Sequence, residues 1–384
     1  MRPNGGGIQN TPMGTNDKLK KKILYLYSDT GGGHRAAANS LISAVKQFKG
    51  FDVEQEAIDV FASGSSFLNI FARAYAPVIR YAPWLWRMLW FSLNNNKGLG
   101  LLEKIASPFI LNNIAKTIDE KKPDILVSVH PLVNHLSIKA AKKIGHHVPF
   151  VTVGMDPVDL HKSWISPDTD VMTVATEEAR QICLREGLPD NKIKVLGIPI
   201  DPRFSEAHEK QEAKQRMGLK KDLFTVLVMG GGEGAGNIFE IASELNKSAL
   251  NMQLIVICGR NEALKRKLEG MELRFPSKIF GFTNEVPSIM DASDIIVTKG
   301  GPGAIFEALA KDLPMIITSW LPGQEEGNIQ FVLAHKIGKI SKDPGKIVQM
   351  IEEIKADPMI RENIKKAKKP HAVFDIAKLI LDMI

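Results

Sequence analysis

Short apolar runs rich in β-branched residues recur along the chain, and stretches with helical spacing lie between most of them. KILYLY (22–27), DVEQEAIDV (52–60), DILVSV (124–129), PFVTV (149–153), VMTVA (171–175) and IKVLGI (193–198) form one series. FTVLVMG (224–230), LIVICG (254–259), KIFGF (278–282), DIIVT (294–298) and PMIIT (314–318) form a second. Runs without a polar alternate are buried on both faces, as strands of a parallel sheet are. AAANSLISAVKQF (36–48) sets Ala37, Leu41, Ala44, Val45 and Phe48 on one stripe and predicts an amphipathic helix. Strand–helix alternation in two series predicts an α/β chain of two doubly wound, Rossmann-like domains that face each other across a cleft.

The boundaries follow from composition. Residues 1–21 are rich in Gly, Asn and Pro at their start and predict a flexible tail with no apolar signal core. A first domain spans 22–204. A charged connector opens the second, at 205–368. The apolar helix at 369–384 needs a packing partner and is expected to return to the first domain.

Each series carries a glycine-rich turn after its first strand. SDTGGGHRAA (28–37) and MGGGEGAGN (229–237) both join a buried strand to a helix, as does TKGGPGAIFEAL (298–309). Free N–H groups at a helix start bind anions, and glycines let a phosphate approach the backbone. Gly32, Gly33, Gly231 and Gly232 are therefore candidate donor-binding positions, and Pro302 suits a helix's first turn. His34 adds a group that titrates near neutrality and can accept a proton from a hydroxyl. Glu307 falls one turn into its helix, within reach of ribose hydroxyls. Gln324, Glu325 and Asn328 in WLPGQEEGNIQFV (320–332) offer amides and carboxylates to sugar hydroxyls. SVHPLVNH (128–135) places His130 and His135, and VTVGMDPVDLHKSW (151–164) places Asp156 and Trp164, at the same sheet edge as His34. No H-x-x-x-H or C-x-x-C spacing marks a metal site.

Residues 61–102 hold three of the five tryptophans, Trp84, Trp86 and Trp90, among arginines and further aromatics. Such a segment is suited to a bilayer interface. The 384 residues suffice for two ordinary domains, and 44% apolar with 24% charged is a globular composition. A net charge of +7 favours an anionic partner. Nucleic acid is excluded for want of a basic-aromatic motif on a known scaffold. Cys183 and Cys258 give no disulfide framework, which fits a reducing compartment. No run reaches the length of a membrane span. The expectation is a peripheral membrane protein on the cytoplasmic face, with homo-oligomerisation open.

SDTGGGHRAAA, PDILVSVHPLVNH, GIPIDPRF, VMGGGEGAG, ICGRN, TKGGPGAIFEAL, LPGQEEGN and HAVFDIAKLI occur in one order from about Lys22 to the C-terminus. Together they resemble the monogalactosyldiacylglycerol synthases, which group with bacterial diacylglycerol glucosyltransferases and the lipid-II-forming N-acetylglucosaminyltransferase. The resemblance implies a GT-B fold and inverting hexose transfer from a UDP-sugar to 1,2-diacylglycerol, galactose ahead of glucose. It implies no cofactor, no catalytic metal and anionic membrane lipids as partners. It further implies His34 as the base on the acceptor hydroxyl or a diphosphate contact, and Gly281, Phe282 and Thr283 around uracil. Gly301, Pro302 and Gly303 match the phosphate-binding helix start, Glu307 the ribose acid, and Gln324, Glu325, Gly327 and Asn328 the sugar and nucleotide contacts. Residues 67–90 match the lipid-docking segment, and Trp164 lies near a site for anionic phospholipid. The acceptor side is expected to hold His130, His135 and Asp156.

Two departures stand out. Plant-type members often carry Arg after the G-[IL]-P-[IV] motif, where this chain has Asp201, with Arg203 two residues on. The long amino-terminal extension of plastid forms is missing, which points away from a chloroplast envelope. A processive glucosyltransferase is the alternative enzyme, and a non-catalytic UDP-sugar- or lipid-binding protein the alternative of another class.

Overall fold

The computed structural model describes residues 20–28, 32–64, 78 and 82–384. Two six-stranded sheets are present, all of whose recorded pairings are parallel. The first contains β1 (Lys21–Tyr27), β2 (Val53–Asp59), β3 (Ile125–Ser128), β4 (Phe150–Val153), β5 (Val171–Val174) and β6 (Ile193–Val195), in the order β2-β1-β3-β4-β5-β6. The second contains β7 (Phe224–Met229), β8 (Met252–Ile257), β9 (Ser277–Phe280), β10 (Ile295–Lys299), β11 (Met315–Ser319) and β12 (Gly338–Ile340), in the order β12-β11-β10-β7-β8-β9. The short edge strand β12 carries no apolar run, and its sequence gives no strand signal.

Both orders reverse direction once. In the first sheet β1 lies between β2 and β3, and in the second β7 lies between β10 and β8. At such a switch point neighbouring connections leave toward opposite faces and open a crevice at the strand carboxyl ends. His34, at the start of the helix that follows β1, bonds the carbonyl just after β3, and the turn after β7 adjoins the end of β10.

The helices that matter for the site are α1 (Gly33–Val45), α2 (Val60–Gly64), α3 (Pro83–Leu93), α4 (Asn96–Lys121) and α5 (Pro131–Lys143) in the first lobe. α6 (Glu177–Arg185) precedes the connector helix α7 (Lys210–Arg216). The second lobe adds α8 (Ile238–Lys247), α9 (Glu262–Glu269), α10 (Val286–Asp291), α11 (Pro302–Ala310), α12 (Glu326–Ala334), α13 (Ile347–Ala356) and α14 (Met359–Ala367). α7 packs on α10, and Lys214 reaches Asp294 at 2.8 Å. The last helix, α15 (Ala372–Asp382), buries Val373, Ile376, Ala377 and Ile380 and lies against α1. Its register is fixed where Phe374 meets Phe48, ring centres 6.4 Å apart. This is the packing partner that its apolar stripe demands.

Candidate active site

Between β1 and α1 the chain turns at Gly32, whose φ of +83° lies in the left-handed region that only glycine adopts without strain. α1 then begins, and its second residue is His34. The His34 Nδ1 is 2.7 Å from the carbonyl oxygen of Val129 at the end of β3. A carbonyl only accepts, so Nδ1 must carry the proton and Nε2 keeps its lone pair. Among the described residues no hydrogen bond engages Nε2. The His34 ring meets His130 edge-on, centres 4.3 Å apart, and lies 6.0 Å from the ring of Trp164. Desolvation by these neighbours lowers its pKa to about 4, against a smaller opposing effect of the Val129 hydrogen bond. The ring is therefore neutral, and able to accept a proton, throughout the physiological range.

His130 precedes α5 and its Nδ1 accepts from Leu132 N at 3.2 Å, which caps the helix. Burial holds its pKa well below the usual value, and His34 lowers it further. Trp164 is fully buried, and its Nε1 donates to Asp156 Oδ2 at 2.7 Å. Its indole is thus enclosed in the lobe and positions a carboxylate. Burial pushes Asp156 up to about 7, opposed by the Trp164 hydrogen bond and reinforced by Glu325 and Asp159. His135 does not join this group. It sits one turn into α5 and pairs through Nδ1 with Glu103 Oε1 of α4 at 3.2 Å. There it lines an apolar pocket with Phe61, Leu99, Leu102 and Ile105.

On the other lobe, β10 ends at Lys299 and α11 starts at Pro302 with no side-chain cap. Its first amides are thus available to an anion. Gly303 has open space where a side chain would stand. Asn328 is buried and its Nδ2 donates to Gly300 O at 2.8 Å, which pins the glycine turn. Glu325 is also buried. Its Oε1 lies 3.0 Å from Lys299 Nζ, and its Oε2 accepts from Leu321 N at 2.8 Å. The loop after β7 lies against both ends of this constellation. A β-carbon on Gly231 would stand 3.3 Å from Lys299 Cε, and one on Gly232 would stand 3.4 Å from Arg260 Nη1. After β9, Phe282 is 57% exposed, with the Arg260 guanidinium over its ring at 4.6 Å. Gly281 and Thr283 flank it, and Thr283 Oγ1 accepts from Glu285 N at 3.1 Å. An open aromatic face beside an amide-lined turn suits a flat base joined to phosphates. Glu307 is pushed up to about 7 by burial and, secondarily, by Asp201.

The lobes approach each other closely at Gly327. A β-carbon at Gly327 would lie 2.8 Å from both the backbone nitrogen and Oδ2 of Asp159. Gln324 sits three residues before it, half-buried. α3 also spans the gap. Trp90 lies against Gly323, and Arg87 Nε is 3.8 Å from Glu326 Oε1. His161 donates through Nε2 to Trp90 O at 3.2 Å, and the rings are 4.4 Å apart. Trp90 and Trp86 thus face inward, while Trp84, Met88 and Phe91 are exposed. Leu101 and Ile105 of α4 extend this apolar surface. Residues 65–77 and 79–81, within the segment expected to dock on lipid, lie outside the described residues.

Lys299, Arg260 and the Gly327–Asp159 contact have no place in the motif reading. A lysine closing a buried strand just before two glycines was the available signal for the first. The other two arise only from packing.

A model of the monogalactosyldiacylglycerol (MGDG) synthase family matches residues 34–200, and a glycosyltransferase family 28 C-terminal domain matches 225–380. A probable monogalactosyldiacylglycerol synthase of Glycine max is 33% identical over 97% of this chain and 73% of its own length. Monogalactosyldiacylglycerol synthase 3 of Arabidopsis thaliana is 35% identical over 93% and 80%. Among solved structures, Acinetobacter baumannii MurG superposes with a TM-score of 0.59 at 12% identity over 94% of this chain and 99% of that one. CalG4, the calicheamicin glycosyltransferase, gives 0.62 at 14% over 95% and 98%. These structural matches establish the GT-B fold of two Rossmann-like domains. Among the described residues no group of three His, Cys, Asp or Glu could hold a metal ion, and no helix is long and apolar enough to cross a membrane.

Proposed function

The chain belongs to the monogalactosyldiacylglycerol synthase family, and on that premise we propose that it moves galactose from UDP-galactose to the free hydroxyl of 1,2-diacylglycerol, with His34 as the base. It is a UDP-sugar-dependent diacylglycerol glycosyltransferase of GT-B fold. Residues 22–204 form the acceptor lobe in this reading, residues 205–368 the donor lobe, and the helix at 369–384 braces the acceptor lobe.

The observation that carries the reading is the His34 tautomer. Val129 O accepts a hydrogen bond from Nδ1–H, so the ring offers to a substrate a neutral Nε2 that no hydrogen bond engages among the described residues. A hydroxyl that attacks an anomeric carbon must shed its proton, and a positioned imidazole accepts it. His130 and Trp164 hold the ring through contact, and Asp156 orders Trp164. In the donor lobe, uracil stacks on Phe282 between Gly281 and Thr283. The ribose hydroxyls bond to Glu307, the diphosphate meets the amides of Gly301 and Gly303 behind Pro302, and the hexose meets Gln324. Glu325 and Asn328 act one step back, since their side chains hold Lys299 and the Gly300 turn.

Attack by the lipid oxygen forms the new bond to C1 while the bond from C1 to the diphosphate oxygen breaks. The electron pair leaves with UDP, and the hydroxyl proton goes to His34 Nε2. Amides at the α11 start stabilise the charge that UDP gains.

Purified protein with diacylglycerol vesicles and UDP-galactose is expected to form monogalactosyl lipid, with a much smaller yield from UDP-glucose. Mono- and diglucosyl products would favour the processive alternative. No glycosyl lipid from any UDP-hexose would overturn the enzyme reading.

The exposed stripe of Trp84, Met88 and Phe91 supports docking on a membrane surface, and the net charge of +7 supports anionic lipid in it. Met88→Asp with Phe91→Asp removes two apolar contacts and adds two like charges. Flotation with phosphatidylglycerol-containing vesicles should show at least a tenfold loss of binding, with UDP affinity unchanged. Equal flotation of the variant would contradict the docking assignment.

A further inference from the structure

Where plant-type members often carry an arginine this chain has Asp201, and Arg203, two residues on, is engaged by protein partners. Arg203 Nε bonds Asp201 Oδ1 at 3.0 Å, its Nη2 bonds Asp201 Oδ2 at 2.9 Å, and its Nη1 bonds Asn284 O at 2.9 Å. Lys299 stands elsewhere, at the switch point of the second sheet. It is the last residue of β10, where the pairing with β11 shifts register between Thr298 and Lys299. Its side chain runs between the two glycine turns. A β-carbon on Gly301 would lie 2.8 Å from Nζ, and one on Gly231 would lie 3.3 Å from Cε. Glycine at 301 leaves the ammonium uncovered on that side, and glycine at 231 leaves room for the stem. Glu325 holds the ammonium from another side, at 3.0 Å, with only 6% of that side chain exposed.

A buried carboxylate whose second oxygen is tied to Leu321 N fixes one Lys299 contact and leaves two ammonium protons to donate. Resting on the donor reading above, we infer that Lys299 is the diphosphate cation of this enzyme, held in place by Glu325. Its ammonium donates to a non-bridging oxygen of the β-phosphate in the bound donor. When the C1–oxygen bond breaks, the electron pair stays on the β-phosphate and Lys299 neutralises the added charge. No proton leaves Lys299, because the acceptor proton has gone to His34. The interaction strengthens as charge develops, which is the condition for raising turnover as well as affinity.

The test is calorimetric titration of the full chain with UDP and with uridine, which needs no lipid acceptor and so is separate from the transferase assay. Lys299→Met should weaken UDP at least 30-fold, leave uridine unchanged and lower kcat at least 100-fold. Lys299→Arg should recover part of the UDP affinity, since it keeps the charge but not the point geometry. Because Lys299→Met strands a buried carboxylate, the double variant Lys299→Met with Glu325→Gln provides a folded comparison. It should show the same loss for UDP and none for uridine. Unchanged UDP affinity, or equal losses for UDP and uridine, would overturn the assignment. A wild-type chain that binds UDP yet glycosylates no lipid would overturn the acceptor reading alone.

Discussion

His34→Ala is expected to lower kcat about a thousandfold while UDP affinity stays within twofold. A positioned general base typically contributes ~10²–10⁴ in rate, and a factor of a thousand corresponds to about 4 kcal/mol of barrier. Nucleotide affinity is spared because His34 lies in α1 of the first lobe, whereas the proposed base-stacking and diphosphate groups lie in the second. The pH profile adds a second readout. The folded pKa is lowered to about 4, so the neutral form is filled above that value and lost below it. The acid limb set by His34 should therefore fall near pH 4, well below the ordinary histidine range. Initial rates on vesicles and calorimetry with UDP check both parts. Turnover of the alanine variant within threefold of wild type would remove His34 from the chemistry.

The second large effect concerns the contact between the lobes. At Gly327 a single methyl group would press on the backbone nitrogen and carboxylate of Asp159 from the facing lobe, each at 2.8 Å. Backbone cannot yield as a flexible side chain can, so Gly327→Ala must hold the lobes apart. Acceptor and donor then miss each other by a fraction of an ångström or more, and misplacement of about 1 Å costs on the order of 100-fold in rate. We expect kcat/KM on vesicles to fall about 100-fold. The melting temperature should fall as well, because one hydrophobic cluster runs through both lobes and includes Leu160 and Ile329 beside this contact. Asp159→Gly added to Gly327→Ala removes the carboxylate half of the clash and should restore part of the loss. A Gly327→Ala enzyme with wild-type kcat/KM would show that this approach is not required in turnover.

These effects locate what the chain makes readable. The strand series was legible because runs such as LIVI (254–257) and IIV (295–297) have no polar alternate, as strands buried on both faces do. The glycine turns marked the switch points for the same reason that they bind anions, namely that backbone must come close to something. His34 stood out because a titratable ring at such a turn has little structural cause. The direction of α3 was not legible. Trp84, Met88 and Phe91 form one apolar stripe at helical spacing, and Trp86 with Trp90 forms another, so periodicity does not tell which faces the protein. Packing decides it, through His161 and Gly323. His135 was drawn to the wrong neighbours because its distance from His130 along the chain hides a turn of helix that carries it over to Glu103. Glu325 and Asn328 read as sugar contacts from their chemistry; what the sequence does not tell is that the Glu325 oxygens meet Lys299 and Leu321 N and that Asn328 Nδ2 bonds Gly300 O.

Rossmann-like lobes are common scaffolds, and the activity rests on which atom takes the lipid's proton. Nitrogen-15 NMR of the histidine-labelled enzyme, titrated between pH 3 and pH 8, reads that atom at position 34, with His34→Gln supplying the assignment. The expected spectrum is a neutral ring protonated on Nδ1, with Nε2 bare and a midpoint near pH 4. A proton resident on Nε2 at neutral pH, or a midpoint at or above 6, would contradict the proposed base.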